Sequence, residues 1–400
     1  MKVLFLSSWF PSPPDNGSKL RVYHLLRALA ARHQVSLASF AFGTARPQEA
    51  DLRAWCRRVE VVQQDPSQRS RLMRGLRYLS LSPIVAAPVP AMSDAVSALA
   101  AETKFDVVVA STETMATYVS RVRGAAAILE EHNSFARMMY ERYQQQTSSL
   151  QRLRCWASWQ KTRYYEARLF PRFDLVTMVS EQDRQTSQAL PAYRGKVEVV
   201  PNGVDCRRNR PGLVVAQPNA LVYNGALTYS ANYDAMRYFL SEIYPLIRQQ
   251  IPDVSLSITG STKGVDLAGL RLDESVRLTG YVDDIRLPVA GSAVCVVPLR
   301  QGGGTRLKIL EAMALGTPVV ATSKGVEGLE AVDGEHLLIA DEPQSFAERT
   351  VRQLRDDALR QRLISNARRL VEERYDWERI GQRFVDLVEE VVHRNAGGSP

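Results

Sequence analysis

What this chain has little of narrows it first. Its 400 residues hold only four cysteines, Cys56, Cys155, Cys206 and Cys295, and no two are close neighbours. That scatter carries no metal-finger or CxxC redox spacing and fits reduced thiols in a cytoplasmic protein. No uninterrupted apolar run approaches the ~20 residues of a membrane-spanning helix. The best candidate is broken by Pro83, Pro88, Pro90 and Asp94. The opening apolar run from Val3 meets Ser7 and Ser8 too early for a signal peptide. There is no internal repeat and no low-complexity tract. What remains is ordinary for a globular protein: 45% apolar and 24% charged. Four hundred residues exceed one hydrophobic core, so two domains are expected. The net charge of +8 implies an anionic partner surface, whether phosphate, anionic lipid or nucleic acid. Charge alone does not choose among them.

The order of patterns reads as α/β. Val3–Leu6 is a buried strand, and a Pro/Gly-rich loop through Pro11, Pro13, Pro14 and Gly17 follows. A helix then carries Leu20, Tyr23, Leu26, Leu29 and Ala30 at helical spacing, and Val35–Phe40 returns as a strand. This is the opening of a doubly wound sheet. Further strands are expected at Val59–Val62, 106–110, 126–130 and 175–179. A second series begins beyond Val197, with strands at 221–223, 255–259, 277–279, 293–297, 319–321 and 336–339. A helix is expected over 232–250, helical structure over 343–375, and a last helix from Asp376 to His393. The tail from Asn395 is expected to be disordered. By composition the joint is 205–217, giving domains 1–195 and 196–375, with 376–394 packing back on the first.

One stretch carries chemistry. Gly302–Gly303–Gly304–Thr305–Arg306–Leu307–Lys308 runs into the helix containing Glu311, which breaks at Gly316. Three glycines let backbone approach a ligand, and a helix start presents free N–H groups and positive potential to phosphate. Arg306 and Lys308 add full charge. Glu311, one turn in, can accept hydrogen bonds from sugar hydroxyls. Together these features describe a nucleoside-diphosphate-sugar site better than a bare nucleotide site.

In sequence and order these blocks resemble the retaining glycosyltransferases of family 4. Pro201–Asn202–Gly203–Val204–Asp205 resembles the family's interdomain segment, and Tyr223–Asn224–Gly225 its glycine turn after the first strand of the second domain. Gly280–Tyr281–Val282 resembles the loop whose backbone meets the base, and Glu311 to Pro318 the family's most recognisable block. The resemblance implies the GT-B architecture, two Rossmann-like domains facing across a cleft. It also implies retention at the anomeric carbon, and assigns ribose binding to Glu311. The family's earlier sugar-binding carboxylate is absent, because Gly303 stands there. The Arg and Lys usual after the glycine turn are replaced by 226–232, so Arg306 and Lys308 are expected to hold the diphosphate. No Asp-any-Asp triplet is present. Neither metal nor cofactor is expected, and the donor is a UDP- or GDP-sugar.

In the first domain, Glu130–Glu131–His132–Asn133 follows a strand where the family often places a histidine at the reaction centre. Of five histidines only His132 ends a strand, where α/β folds collect ligands; a purely structural role is the competing reading. Gly17, with Asp15 and Asn16, opens the first helix and can offer backbone N–H groups to phosphate or simply begin a capped helix. The run Arg53, Arg57, Arg58, Arg69, Arg71, Arg74 and Arg77, interleaved with Leu72, Met73, Leu76 and Tyr78, reads as a solvated face or as a peripheral contact with anionic membrane on its inner leaflet. Trp156, Trp159, Tyr164 and Tyr165 read as core packing or as an acceptor groove. The expected activity is sugar transfer to a glycan or lipid-linked glycan in surface polysaccharide synthesis. An epimerase or a pyridoxal-phosphate phosphorylase on the same fold competes with it. A basic nucleic-acid-binding protein competes too, but its recognition motifs are absent.

Overall fold

Aliphatic runs bounded by polar or glycine residues become parallel strands. In the computed structural model, which describes residues 1–43, 49–68, 88–190 and 195–397, they form two separate sheets. The first contains β1 (Lys2–Ser7), β2 (Gln34–Ala41), β3 (Cys56–Gln63), β4 (Val107–Ser111), β5 (Ala126–Glu130), β6 (Leu175–Met178) and β7 (Val197–Val199). The second contains β8 (Gln217–Asn224), β9 (Ser255–Thr259), β10 (Val276–Gly280), β11 (Ser292–Val297), β12 (Val319–Ala321) and β13 (Leu338–Ile339). Their orders are β3-β2-β1-β4-β5-β6-β7 and β10-β9-β8-β11-β12-β13. Helices cover both faces of such sheets, which is why β1, β4 and β11 read as continuous apolar runs. Strand order reverses between β1 and β4, and again between β8 and β11. At those points the carboxyl ends of the strands open a crevice.

The chain divides into Met1–Pro201 with Ile380–Pro400, and Asn202–Arg379. Segment 205–217, expected as the joint, therefore lies inside the second unit. Asp205 accepts from the backbone N–H groups of Arg207 and Arg208 at 3.0 and 2.9 Å. Arg368 donates to the Cys206 and Asn209 carbonyls at 2.9 and 2.6 Å. Those bonds tie the segment to its own domain, a tertiary effect that composition does not reveal.

Local differences have local causes. The helix Gly17–Ala30 buries Arg21, Val22, Leu25, Leu26 and Leu29, whereas Leu20, Tyr23 and Ala30 are only half-buried. A buried carboxylate draws Arg21 inward and turns the stripe by one position. The helix expected over 232–250 is interrupted by a π-helical turn at Phe239–Ile243 before Pro245, which has no N–H for the regular ladder. The helical region after Pro343 breaks at Asp356, whose side chain caps the next helix by accepting from Leu359 N at 2.9 Å. The last helix runs Trp377–Gly397, past the expected end and through the first three residues of the tail.

Of the basic run, Arg69, Arg71, Arg74 and Arg77, with Leu72, Met73, Leu76 and Tyr78, lie outside the described residues. Arg53 and Arg58 are ion-paired, to Glu49 at 2.6 Å and to Glu60 and Glu102 at 3.0 Å each. Among the described residues no helix is long and apolar enough to cross a membrane.

Candidate active site

In the second unit the site forms where β8 and β11 end. The glycine loop after β11 holds positive φ at Gly302 (103°) and Gly304 (82°), angles that side chains resist. It delivers the chain into the nine-residue helix Leu307–Leu315, which stops at a left-handed Gly316. Lys308 and Glu311 sit three apart, hence on one helical face. Glu311 Oε2 accepts from Asn224 Nδ2 at 2.8 Å, from the last residue of β8. Lys308 Nζ donates to Tyr223 Oη at 2.9 Å and Asn232 Oδ1 at 3.1 Å, and lies 4.0 Å from the centre of the Tyr223 ring. The Tyr223 hydroxyl in turn donates to Asn232 Oδ1 at 2.7 Å.

Gly225 is the reason the ammonium fits. A Cβ there would sit 2.7 Å from Lys308 Nζ and 2.9 Å from Asn232 Nδ2. Both ionisable groups keep some solvent access as residues, yet their charged ends are crowded by protein. Burial pushes the Lys308 ammonium down to about 7, and the nearby Arg306 acts the same way. Burial pushes the Glu311 carboxyl up to about 7, against the opposing pull of Asn224 and Lys308. The pair is thus poised between charged and neutral forms, and a ligand that neutralises both would be favoured.

Arg306 does something narrower than expected. Its buried guanidinium donates to the Gly302 and Gly303 carbonyls at 2.6 Å each, and to the Lys324 carbonyl at 3.4 Å. It shapes the loop from within rather than standing beside Lys308 as a second free cation. Thr305 Oγ1 is buried with no hydrogen-bond partner among the described residues, and Gly303 is exposed. Leu307 begins the helix with its N–H turned to the Thr305 carbonyl at 3.0 Å. Val282 follows β10, two strands from Asn224 in the sheet, next to an exposed Tyr281. The residues brought together are therefore Gly225, Lys308 and Glu311, joined by Tyr223, Asn224 and Asn232. Asn232 was passed over in sequence because it stood where a cation was sought, and Tyr223 and Asn224 because they were read only as a turn.

In the first unit His132 stands two residues past the end of β5 and is buried in a polar knot. Its Nε2 lies 2.9 Å from Ser111 Oγ and 3.2 Å from Glu130 Oε2, and Ser111 Oγ donates to the same Glu130 oxygen at 2.8 Å. Glu130 Oε1 accepts from Arg21 Nε at 2.5 Å, and Arg21 also donates to the Pro201 carbonyl at 3.0 Å. Burial alone would raise the Glu130 pKa, but Arg21 and His132 outweigh it and hold the carboxyl well below the usual range. A permanent carboxylate thus fixes the imidazole through one nitrogen. Gly17 is exposed at the head of its helix, where the Asn16 side chain accepts from Lys19 N at 3.1 Å. Sequence reasoning missed Arg21, Ser111 and Glu130; the available signal was a cation on the buried face of a helix opposite an acid ending a strand.

Comparisons with known proteins agree with this construction. The family described as "Glycosyltransferase Family 4" matches residues 16–208, and "Glycosyl transferases group 1" matches residues 218–356. A phosphatidyl-myo-inositol mannosyltransferase of Mycobacterium leprae is 30% identical over 229 residues, 54% of this chain and 60% of that protein. Across the curated relatives it matches, the chain spans about half their length (43% and 60%). The sucrose-phosphate synthase of Thermosynechococcus elongatus superposes with a TM-score of 0.71 at 19% identity, over 98% of this chain and 100% of that one. HepE of Anabaena in complex with UDP-glucose gives 0.67 at 18% identity, over 98% and 100%. At such identities the structures speak for the fold alone. With one family match over most of each unit and both sheets wound as the fold requires, the chain belongs to the family-4-like glycosyltransferases of GT-B architecture.

Proposed function

We propose that the protein transfers a sugar, with retention, from a nucleoside-diphosphate sugar to a hydroxyl of a glycan or lipid-linked glycan acceptor in surface polysaccharide synthesis. The observation that carries this reading is the Lys308–Glu311 pair on the helix behind the glycine loop. It sets one cation and one carboxylate at the strand ends, where α/β folds collect ligands. Glu311 would accept from the ribose hydroxyls. Lys308, the helix N-terminus and the unpartnered Thr305 hydroxyl would face the diphosphate, with Arg306 fixing the loop that presents them. Gly225 admits the ammonium, and Val282 and its neighbours would lie along the base.

Sugar–phosphate cleavage builds negative charge on the leaving diphosphate, so donors fixed beforehand lower its barrier directly. On a same-face path the departing phosphate takes the acceptor proton, and no protein nucleophile is needed. His132, anchored by Glu130 and Ser111, would orient donor or acceptor in the first unit, where Gly17 offers helix-start N–H groups. The resemblance to HepE in complex with UDP-glucose and to a mannosyltransferase supports a UDP- or GDP-sugar donor. No metal or cofactor is invoked.

Isothermal titration with UDP, GDP and their hexose derivatives tests the reading. At least one should bind, and Glu311→Ala should weaken it by about 10–100-fold, the effect of losing a charged hydrogen-bond acceptor. Absence of binding, or equal binding by the variant, would remove it.

A further inference from the structure

The helix Phe135–Gln144 and the long helix Ser149–Leu169 form an arm of the first unit whose surface is unlike the rest. The long helix buries only Thr162, Glu166 and Leu169 against the core. On its opposite face, at helical spacing, stand Leu150 (68% exposed), Leu153 (61%), Ala157 and Tyr164, with Trp156 (44%) at the margin. Aromatic side chains expected to pack in the core or line a groove therefore divide. Trp159 packs on Tyr140, with ring centres 4.7 Å apart, and stacks on Tyr143 at 6.0 Å, while Trp156 and Tyr164 face outward.

Exposed charge on the long helix has one sign. Arg152, Arg154, Lys161, Arg163 and Arg168 lie on the long helix, whose single acid, Glu166, is buried. Glu141 of the preceding helix is paired with Arg137 at 3.3 Å. Arg152 and Arg168 rest on tyrosine rings, 5.2 and 4.2 Å from their centres, with no carboxylate within ion-pair distance among the described residues. Towards its base the stripe runs into a recess of about 480 Å³ lined by Tyr164, Arg168, Arg172, Thr117 and Ser120. Thr117 Oγ1 is buried there without a hydrogen-bond partner.

We infer that this arm docks on an anionic lipid surface, its leucines and Trp156 entering the interface and its cations meeting headgroup phosphates. Outward leucines flanked by cations, with an aromatic at the margin, match an interfacial helix. Nucleic acid would use the cations but leave the leucines in water, and neither the exposed apolar row nor the charge is explained by folding. The run at Arg53 and Arg58 fits the role less well, because those two cations are already paired. The inference does not depend on the glycosyl-transfer reading.

Co-sedimentation of the full chain with phosphatidylcholine vesicles, with and without phosphatidylglycerol, at low and high salt, is the test. Binding should require the anionic lipid and weaken at high salt. Leu150→Ser with Leu153→Ser should weaken it by at least about tenfold, as two apolar insertions are lost. Arg154→Glu with Arg168→Glu should weaken it by about fivefold or more per charge removed. Lys263→Glu, in the second unit, should change nothing. Nucleotide-sugar binding measured on the same variants should stay at the wild-type level, which separates this inference from the donor-site reading. No binding by the wild type, or binding indifferent to both arm variants, overturns the proposal. So does a dimer in light scattering that disappears with the leucine pair while vesicles are ignored.

Discussion

Two residues in the second unit carry opposite demands. On the proposed function, binding a nucleoside-diphosphate sugar would select the Glu311 carboxylate and the Lys308 ammonium, yet burial has brought both pKa values to about 7. Below that value Glu311 gains a proton on average, and above it Lys308 loses one. Affinity for a donor sugar should therefore pass through a maximum near neutral pH, measured by titration from pH 5.5 to about 9. Glu311→Gln should abolish the acid limb and keep the alkaline one. In the first unit Glu113, Glu131 and Glu166 are buried together after β4 and β5 and on the arm. Burial pushes Glu113 up to about 7. Burial also raises Glu131 and Glu166, and the neighbouring Glu113 charge raises both further. Around them lie Glu130 with Arg21 and His132, Asp183 with Arg137, and Tyr165 near Arg172. A raised folded-state pKa means stability that is complete below about pH 4.5 and declines as pH rises towards 7. Glu113→Gln should flatten that slope and stabilise the protein above pH 7 by up to about 3 kcal/mol, read from denaturant melts at pH 5 and 7.5.

At the level of elements, the turn after β8 is built for closeness. Gly260, with φ of 96°, would place a Cβ 2.6 Å from the Ala226 backbone nitrogen, so the loops after β8 and β9 pack backbone to backbone. Gly225 differs, since the nearest atom to its Cβ would be the movable end of Lys308. Gly225→Ala should therefore fold but push the ammonium off Tyr223 and Asn232. The expected result is unchanged circular dichroism with nucleotide-sugar affinity lower by about tenfold. Gly260→Ala should instead lose stability, because nothing flexible can yield there.

At the scale of the whole molecule, the last helix begins in one unit and ends in the other. From Ile380 onward it belongs to the first unit's core, burying Ile380, Phe384, Val385, Val388 and Val391. Gly381 permits close approach, since a Cβ there would be 2.7 Å from Ala28 Cβ. Ion pairs from Arg32 to Glu389 at 3.0 Å and from Lys196 to Glu390 at 3.1 Å edge the contact. Phe384→Ala should cost about 3–5 kcal/mol by leaving a cavity, seen in denaturant unfolding of the full chain.

Periodicity and composition determined the α/β class, most strand positions and the glycine loop with Lys308 and Glu311, because those depend on neighbours along the chain. Strands 126–130, 255–259 and 319–321 were legible to the residue: the first and last are buried on both faces, and 255–259 sets apolar Leu256 and Ile258 between polar neighbours before Gly260. What a side chain meets across the fold was not legible. Arg306 reads as a phosphate ligand in sequence, whereas in the fold it donates to the loop carbonyls, and nothing along the chain marks Arg21 as the partner of a buried Glu130. Trp156 and Trp159, three residues apart, went one to solvent and one to a tyrosine pair. Local sequence sets backbone preference and spacing, while burial, and with it the pKa and partner of every ionisable group, depends on residues brought together from distant parts of the chain.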